Sequence, residues 1–195
     1  MEKRKAVWQA IEQPRIEYIV LKTGFLESHR DDEGDHVASR IWGIPHRNTY
    51  DLRYRIYFYP GFIVRYVALG VYTTSDDTVR LLTDGRGNWT DDSHIPLPQL
   101  KGCFDVDISA TPFTNTLPIR RIDWQVGQSE ILNMVYIDAD DLSARADQQR
   151  YTCLEKSSNG ARFRFEQLSS GFTAELPVDV DGLVLDYPGL FKRVR

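Results

Sequence analysis

Short segments in which apolar and polar residues alternate recur along most of the chain. They are rich in β-branched and aromatic residues and are separated by glycine, proline, asparagine and aspartate, which is typical of antiparallel strands. The pairs Pro60-Gly61 and Asn159-Gly160 are the clearest predicted hairpin turns. The pattern predicts strands over residues 16–22, 36–43, 51–59, 62–73, 78–84, 103–109, 119–126, 130–138, 150–156, 161–168, 172–178, 183–186 and 190–194.

Helical periodicity is scarce by comparison. Residues 141–149 have a composition that suits a short helix, with Asp141 as an N-capping acid, so we predict one there. Four prolines lie within residues 90–118 and break regular strand pairing at both ends of that stretch. We therefore expect residues 90–120 to connect two halves of the chain.

The two halves resemble each other in sequence. RIEYIV at 15–20 matches RIDWQV at 121–126 in residue character, and Arg53-Tyr54 precedes Gly85 by the same distance in sequence as Arg150-Tyr151 precedes Gly182. Chance similarity between amphipathic strands is the alternative explanation. Because both anchors agree in order, we favour duplication and predict a single domain, 1–195, built from repeats at about 15–89 and 121–186.

Alternation within the first matched segment predicts which side chains are buried. Ile16, Tyr18 and Val20 share one strand face, and Arg15 and Glu17 share the opposite face. We expect the apolar face to be buried. The charged face then either meets water or lines the interior of a barrel.

A dozen or more antiparallel strands must hide their edges, either in two packed sheets or in a closed barrel. If the repeats complete one continuous sheet, the protein should contain a cavity or deep groove, because larger barrels leave interior space. If each half closes separately, both interiors should be solid. The first arrangement predicts ligand binding and the second predicts a scaffold.

Composition excludes several classes of protein. The 195 residues include 24 basic and 28 acidic side chains, which gives a net charge of −4 and provides no broad positive field for nucleic acid. No apolar run approaches the roughly 20 residues that cross a bilayer, and no leader-like segment is evident, so we expect a cytoplasmic protein without a membrane span. Cys103 and Cys153 lack metal-ligand spacing, and we expect no metal and no cofactor.

Three segments carry a family resemblance: GCFDVDI at 102–108, TPFTNTLPIRR at 111–121 and DGLVLDYPGLF at 181–191. They resemble the bacterial family of putative glycolipid-binding proteins, formerly a domain of unknown function, and the resemblance spans nearly the whole chain. It implies an all-β fold, a duplicated antiparallel barrel-like sheet similar in shape to bacterial lipoprotein carriers. The resemblance implies no catalytic motif in this sequence.

An amphiphilic ligand needs apolar wall for its chain and polar or aromatic groups for its head. The candidates for the head group also have structural explanations. The alternative role of the polar run 114–116 is to satisfy backbone groups in a tight connection, and the alternative for the two aromatic residues is a place in the core. Arg120 and Arg121 would point to opposite faces of a strand, so at most one enters a cavity. The candidates are Trp89, Thr114, Asn115, Thr116, Arg120 and Tyr151.

Two Asp-x-Asp pairs provide an alternative, enzymatic interpretation. Asp105 with Asp107, and Asp179 with Asp181, would each place two carboxylates on one strand face, where they could bind a divalent ion or share a proton. A turn at Asp181-Gly182 and ion pairs from Asp105 or Asp107 to Arg120 or Arg121 are the structural alternatives. We favour noncatalytic binding of an amphiphile, such as a glycolipid, in the barrel cavity or groove, over a metal-assisted hydrolase or an interaction scaffold.

Overall fold

The computed structural model describes residues 2–23, 34–44, 50–72 and 77–195. Within them lie fourteen strands, one short α-helix, α1 (Thr116–Arg121), and 3₁₀ turns at Pro98–Leu100 and Phe113–Asn115. The strands are β1 Glu2–Ala10, β2 Arg15–Thr23, β3 His36–Gly43, β4 Tyr50–Tyr59, β5 Ile63–Val71, β6 Thr78–Thr83, β7 Trp89–Asp91, β8 Asp105–Ile108, β9 Ser129–Ile137, β10 Ala144–Ser157, β11 Gly160–Gln167, β12 Phe172–Val178, β13 Asp186–Tyr187 and β14 Phe191–Arg193.

The strands form two sheets. Nine strands pair in the order β13-β14-β1-β2-β3-β4-β5-β6-β7, and five pair in the order β12-β11-β10-β9-β8. Neighbours are antiparallel except β8 and β9, which are parallel. A large antiparallel sheet accompanied by a sheet curled as a half-barrel confirms the predicted all-β, barrel-like fold.

The halves of the chain do not form one continuous sheet, yet they are interlocked. The C-terminal strands β13 and β14 return to the first sheet, where β14 pairs with β1. One buried cluster lies under the nine-stranded sheet and includes Val135 and Ile137 from β9, the strand next to the edge of the second sheet. A second cluster fills the five-stranded sheet around Tyr151 and Phe165. The connector joins the two, because α1 contributes Leu117 to the first cluster and Ile119 to the second.

Two predicted elements are wrong in type. The strand predicted over 119–126 is occupied by the end of α1 and an irregular segment, and the helix predicted over 141–149 is largely part of β10. Residues 144–149 pair with β9, and Gln149 also pairs with β11, so ladder hydrogen bonds override weak local propensity. The strand β1 is not anticipated by the sequence pattern.

The burial predicted for β2 is reversed. Glu17, Ile19 and Leu21 face the core, at 2%, 0% and 4% exposure, whereas Ile16 is exposed. Glu17 is tolerated inside because Tyr54, Ser39 and Thr111 all donate hydrogen bonds to its Oε1, at 2.7, 2.8 and 2.8 Å. Three donors compensate part of the cost of removing a carboxyl group from water.

The two anchors of the predicted repeat have different outcomes. Residues 15–20 lie in β2 but residues 121–126 contain no strand, so this pair is not structurally equivalent. Arg53-Tyr54 and Arg150-Tyr151 do occupy strands β4 and β10, each an interior strand of its sheet, and Gly85 and Gly182 both follow with positive φ, 72° and 75°. The duplicated single domain stays a prediction.

Candidate ligand groove

The candidate site is a groove of about 910 Å³ on the outward face of the nine-stranded sheet, built by β3, β4, β5 and β6. Strand β4 alternates strictly here. Leu52, Tyr54 and Ile56 are buried in the core, while Arg53 and Arg55 turn to the opposite face and line the groove. One amphipathic strand therefore supplies a core face and a binding face at once.

Strand register assembles the groove floor in rows. Arg55 of β4 lies between Ala38 of β3 and Ala68 of β5, and Ala68 is followed by Arg80 of β6. Small side chains on both sides of Arg55 leave a depression around its guanidinium group.

Gly70, in the next row, pairs with Arg53 and Thr78. A Cβ atom on Gly70 would lie 2.9 Å from Thr78 Cγ2 and 3.2 Å from the Tyr72 ring, so a larger residue here would require these side chains to shift.

A β-bulge shapes one end of the groove. The β4–β5 register shifts between Tyr57 and Phe58, which leaves Arg65 as the extra residue on β5. The Arg65 guanidinium lies 5.1 Å from the centroid of the Tyr57 ring, a cation–π contact, and Arg55 Nη1 donates to the Tyr57 hydroxyl at 3.4 Å. The bulge thus brings two cations to one aromatic ring.

The described lining of the groove is basic. Arginines 53, 55, 65 and 80 line it together with His94, and among the described lining residues there is no carboxylate. Acidic side chains lie beside it. Asp51 accepts hydrogen bonds from Arg53 and from Arg40. The hydrogen bond from Arg53 is the main cause that holds the pKa of Asp51 below its usual range, and Arg40 contributes in the same direction. Asp92 reaches Arg80 at 3.5 Å, a long contact between exposed groups. Four tyrosines on the outward face add ring surface and hydroxyl groups: Tyr57, Tyr59, Tyr66 and Tyr72.

Five of the six head-group residues predicted from sequence are buried and hold structural partners. Trp89 Nε1 donates to the Cys103 carbonyl at 2.8 Å, and Thr116 Oγ1 donates to the Gly182 carbonyl at 2.9 Å. Thr114 donates to Asp107 at 3.1 Å, and the Tyr151 hydroxyl donates to Asn115 Oδ1 at 2.9 Å. These residues link the connector to both cores and are not among the residues that line the groove.

Arg120 lies apart from the groove. Its guanidinium is 5.1 Å from the centroid of the Phe62 ring, and it borders a separate pocket of about 290 Å³ beside Trp124 and Phe163. Because Arg120 and Arg121 are in α1, the prediction that they occupy opposite faces of a strand is wrong. The role of the six candidates in head-group binding stays a prediction.

The first Asp-x-Asp pair lies in β8, where Asp105 is buried and Asp107 is half-buried. Asp105 accepts from Arg121 Nη2 at 2.6 Å, which confirms the predicted ion pair, and Asp107 accepts from Gln149 Nε2 at 2.6 Å. Burial raises the pKa of both carboxyl groups above the usual value, although these partners oppose the rise. Each carboxylate has its own partner.

The second pair lies in a turn after β12, so its placement on one strand face is wrong. Asp179 Oδ1 accepts from the backbone N–H groups of Asp181 and Leu183, and its other oxygen pairs with Arg193. Asp181 pairs with Arg4 at 2.8 Å. In the described ranges, no group of three or more His, Cys, Asp or Glu side chains is arranged to hold a metal ion.

Comparison with known proteins places this geometry in a family. The model of the family described as "Putative glycolipid-binding" matches residues 5–193. The chain belongs to this family. Among solved structures, it is similar to a DUF1089 family protein from Pseudomonas aeruginosa, with 34% identity, a TM-score of 0.77, and coverage of 96% of this chain and 95% of that one. No curated protein matches.

The groove residues of this family member were missed by sequence reasoning. A signal was present: Arg53, Arg55, Tyr57 and Tyr59 alternate with buried residues along β4, a cationic and aromatic face on a central strand. The register that adds Ala38, Ala68 and Arg80 is not visible in the sequence.

None of the helices in the described residues has the length and apolar character needed to cross a membrane.

Proposed function

We propose that the protein binds an amphiphile whose head combines a sugar with an acidic group, and that the groove on β3–β6 holds this head. The observation that carries the proposal is the lining: four arginines and four outward-facing tyrosines without a carboxylate among the described lining residues. The family description supports a glycolipid as the class of ligand.

The arginines favour an anionic group. A guanidinium presents several N–H donors in a planar fork that matches carboxylate and phosphate oxygens. Arg55 lies at the centre of the floor, flanked by Ala38 and Ala68, so an acidic group can approach it without displacing a bulky neighbour. Arg65 lies at the bulge against the same tyrosine, Tyr57, and adds a second positive charge.

The tyrosines suit a sugar. Ring faces pack against the C–H groups of a sugar, and phenolic hydroxyl groups exchange hydrogen bonds with its hydroxyl groups. A volume of about 910 Å³ lies within the range of small-molecule sites. The alkyl chain would cover Leu82 and the small floor residues, at about 0.8 kcal/mol per buried CH₂.

The test is isothermal titration calorimetry with two matched probes below their micelle concentrations: octyl glucuronide, which carries a sugar and a carboxylate, and octyl glucoside, which lacks the charge. The wild type should bind the glucuronide more tightly. Arg55→Gln should weaken glucuronide binding by roughly 10- to 100-fold, the size of one charge-assisted hydrogen bond, and leave glucoside binding nearly unchanged.

Arg164→Gln is the matched control, because Arg164 is an exposed arginine of the five-stranded sheet outside the groove. It should bind both probes as the wild type does. Equal affinity of the wild type for the two probes, or an equal loss in both arginine variants, would refute an anion site in the groove.

A further inference from the structure

A second, smaller pocket lies on the opposite, core-facing side of the nine-stranded sheet. It measures about 140 Å³ and is bounded by the ends of β1 and β2, by the segment after β8 and by the chain before β14. Trp8, Ala10 and Phe191 supply apolar wall, and Arg15 and Glu17 supply polar groups. It shares no lining residue with the groove.

Unsatisfied polar atoms gather at this pocket. Among the described residues, three buried side-chain atoms have no hydrogen-bond partner: Arg15 Nε, Glu17 Oε2 and the Tyr50 hydroxyl. Two of them belong to residues that line the pocket, and the Arg15 guanidinium stacks on the Tyr50 ring at 3.9 Å. Each buried group without a partner costs about 1–3 kcal/mol, so two residues with such groups in the lining of one pocket call for an explanation.

The two carboxyl oxygens of Glu17 differ sharply. Oε1 accepts hydrogen bonds from three hydroxyl groups, those of Ser39, Tyr54 and Thr111, and these hold the side chain in place. Oε2 has none, in a residue that is only 2% exposed. Such a fixed carboxyl group with one unused oxygen is preorganised for a ligand.

We propose that this pocket binds a small neutral polyol of three or four carbons, with one hydroxyl group bridging Glu17 Oε2 and Arg15 Nε. A hydroxyl group accepts from the arginine N–H while it donates to the carboxylate, so one ligand group satisfies both orphaned atoms.

The volume and charges select this class of ligand. A cavity of about 150 Å³ holds a molecule of benzene size, and glycerol is about as large. Arg15 opposes a cationic ligand, and Glu17 together with Glu12, which also lines the pocket, opposes an anionic one. Burial raises the pKa of Glu17 to about 7, and a hydroxyl group serves both forms, because it also accepts the proton of the neutral acid.

The experiment is saturation-transfer NMR with glycerol and erythritol as probes and 1-propanol as the comparison that lacks adjacent hydroxyl groups. The wild type should give transfer to both polyols and much less to propanol. Glu17→Gln replaces the Oε2 acceptor with an N–H donor, and the apparent Kd for glycerol should rise at least about tenfold, the loss of one hydrogen bond.

A second variant tests the pocket without touching Glu17. Ala10→Leu, at the end of β1, adds side-chain volume to the pocket wall and should also abolish transfer to the polyols. Octyl glucuronide binding should persist in both variants, since the groove is separate. No polyol transfer in the folded wild type, or transfer unchanged in both variants, would overturn the proposal and leave the orphaned atoms to water.

Discussion

The buried carboxyl group of Glu17 makes the stability of the protein depend on pH in a defined direction. Its pKa is raised from 4.5 to about 7, chiefly because burial disfavours the charged form, and the hydrogen bonds from Tyr54, Thr111 and Ser39 offset only part of this. Between these two pKa values the folded protein retains a proton that the unfolded chain has released. Raising the pH through this window therefore favours unfolding.

The size of the effect follows from the difference between the two pKa values. The ionisation of Glu17 lowers the free energy of unfolding by about 3 kcal/mol once the pH is above the pKa of the folded state. Below the pKa of the unfolded state it lowers the free energy of unfolding by almost nothing. Glu17→Gln removes the titration but keeps an amide oxygen that accepts from the same three hydroxyl groups. The variant should match the wild type near pH 4.5 and exceed its free energy of unfolding by about 2–3 kcal/mol near pH 8.

Urea denaturation of both proteins from about pH 4.5 to about pH 8 measures this difference. Val67→Ala is the control, because Val67 is fully buried under the same sheet and its truncation leaves a cavity without removing an ionisable group. That variant should lower the curve of free energy of unfolding against pH in parallel. Parallel curves for the wild type and Glu17→Gln would refute the reasoning, since Glu17 would then titrate alike in both states.

Two further predictions concern the second half of the chain and the cysteines. Arg121→Met removes the partner of the fully buried Asp105 and should lower the free energy of unfolding by about 3–5 kcal/mol near pH 8. Adding Asp105→Asn to this variant should recover part of the lost stability. If it recovers none, the ion-pair explanation is wrong. Burial raises the pKa of Cys103 to about 11 and also raises the pKa of Cys153. Neither thiol should therefore react with Ellman's reagent at pH 8 until urea unfolds the chain. Rapid labelling of the native protein would contradict the burial of the two cysteines.

Alternation alone predicted most of the strands. The bounds of β3 and β12 agree with the predicted 36–43 and 172–178, and both hairpin turns, at Pro60-Gly61 and Asn159-Gly160, are present. These segments combine a period of two with residues that favour strands, so local chemistry and pairing agree. The family resemblance, carried by 102–108, 111–121 and 181–191, is also confirmed.

Prediction failed where long-range contacts outweigh local preference. The segment Thr116–Arg121 is helical although it looked strand-like at its end, because the helix lies where the two cores meet and buries a side chain in each. Strand β1 begins with charged residues that do not predict a strand, and it is held by pairing with β2 and β14 on its two edges. Neither neighbour of β1 can be identified from its own sequence.

The candidate site shows most clearly which features the sequence determines and which depend on the tertiary structure. By itself the sequence determined that strands such as β4 have two chemically different faces, since alternation along a strand is a local property. It could not determine which face is buried, and so Glu17 was placed outside although three hydroxyl groups from β3, β4 and the connector hold it inside. Tertiary structure alone gathered the arginines and tyrosines of β4, β5 and β6 into one groove, because strand register joins residues that are distant in the chain.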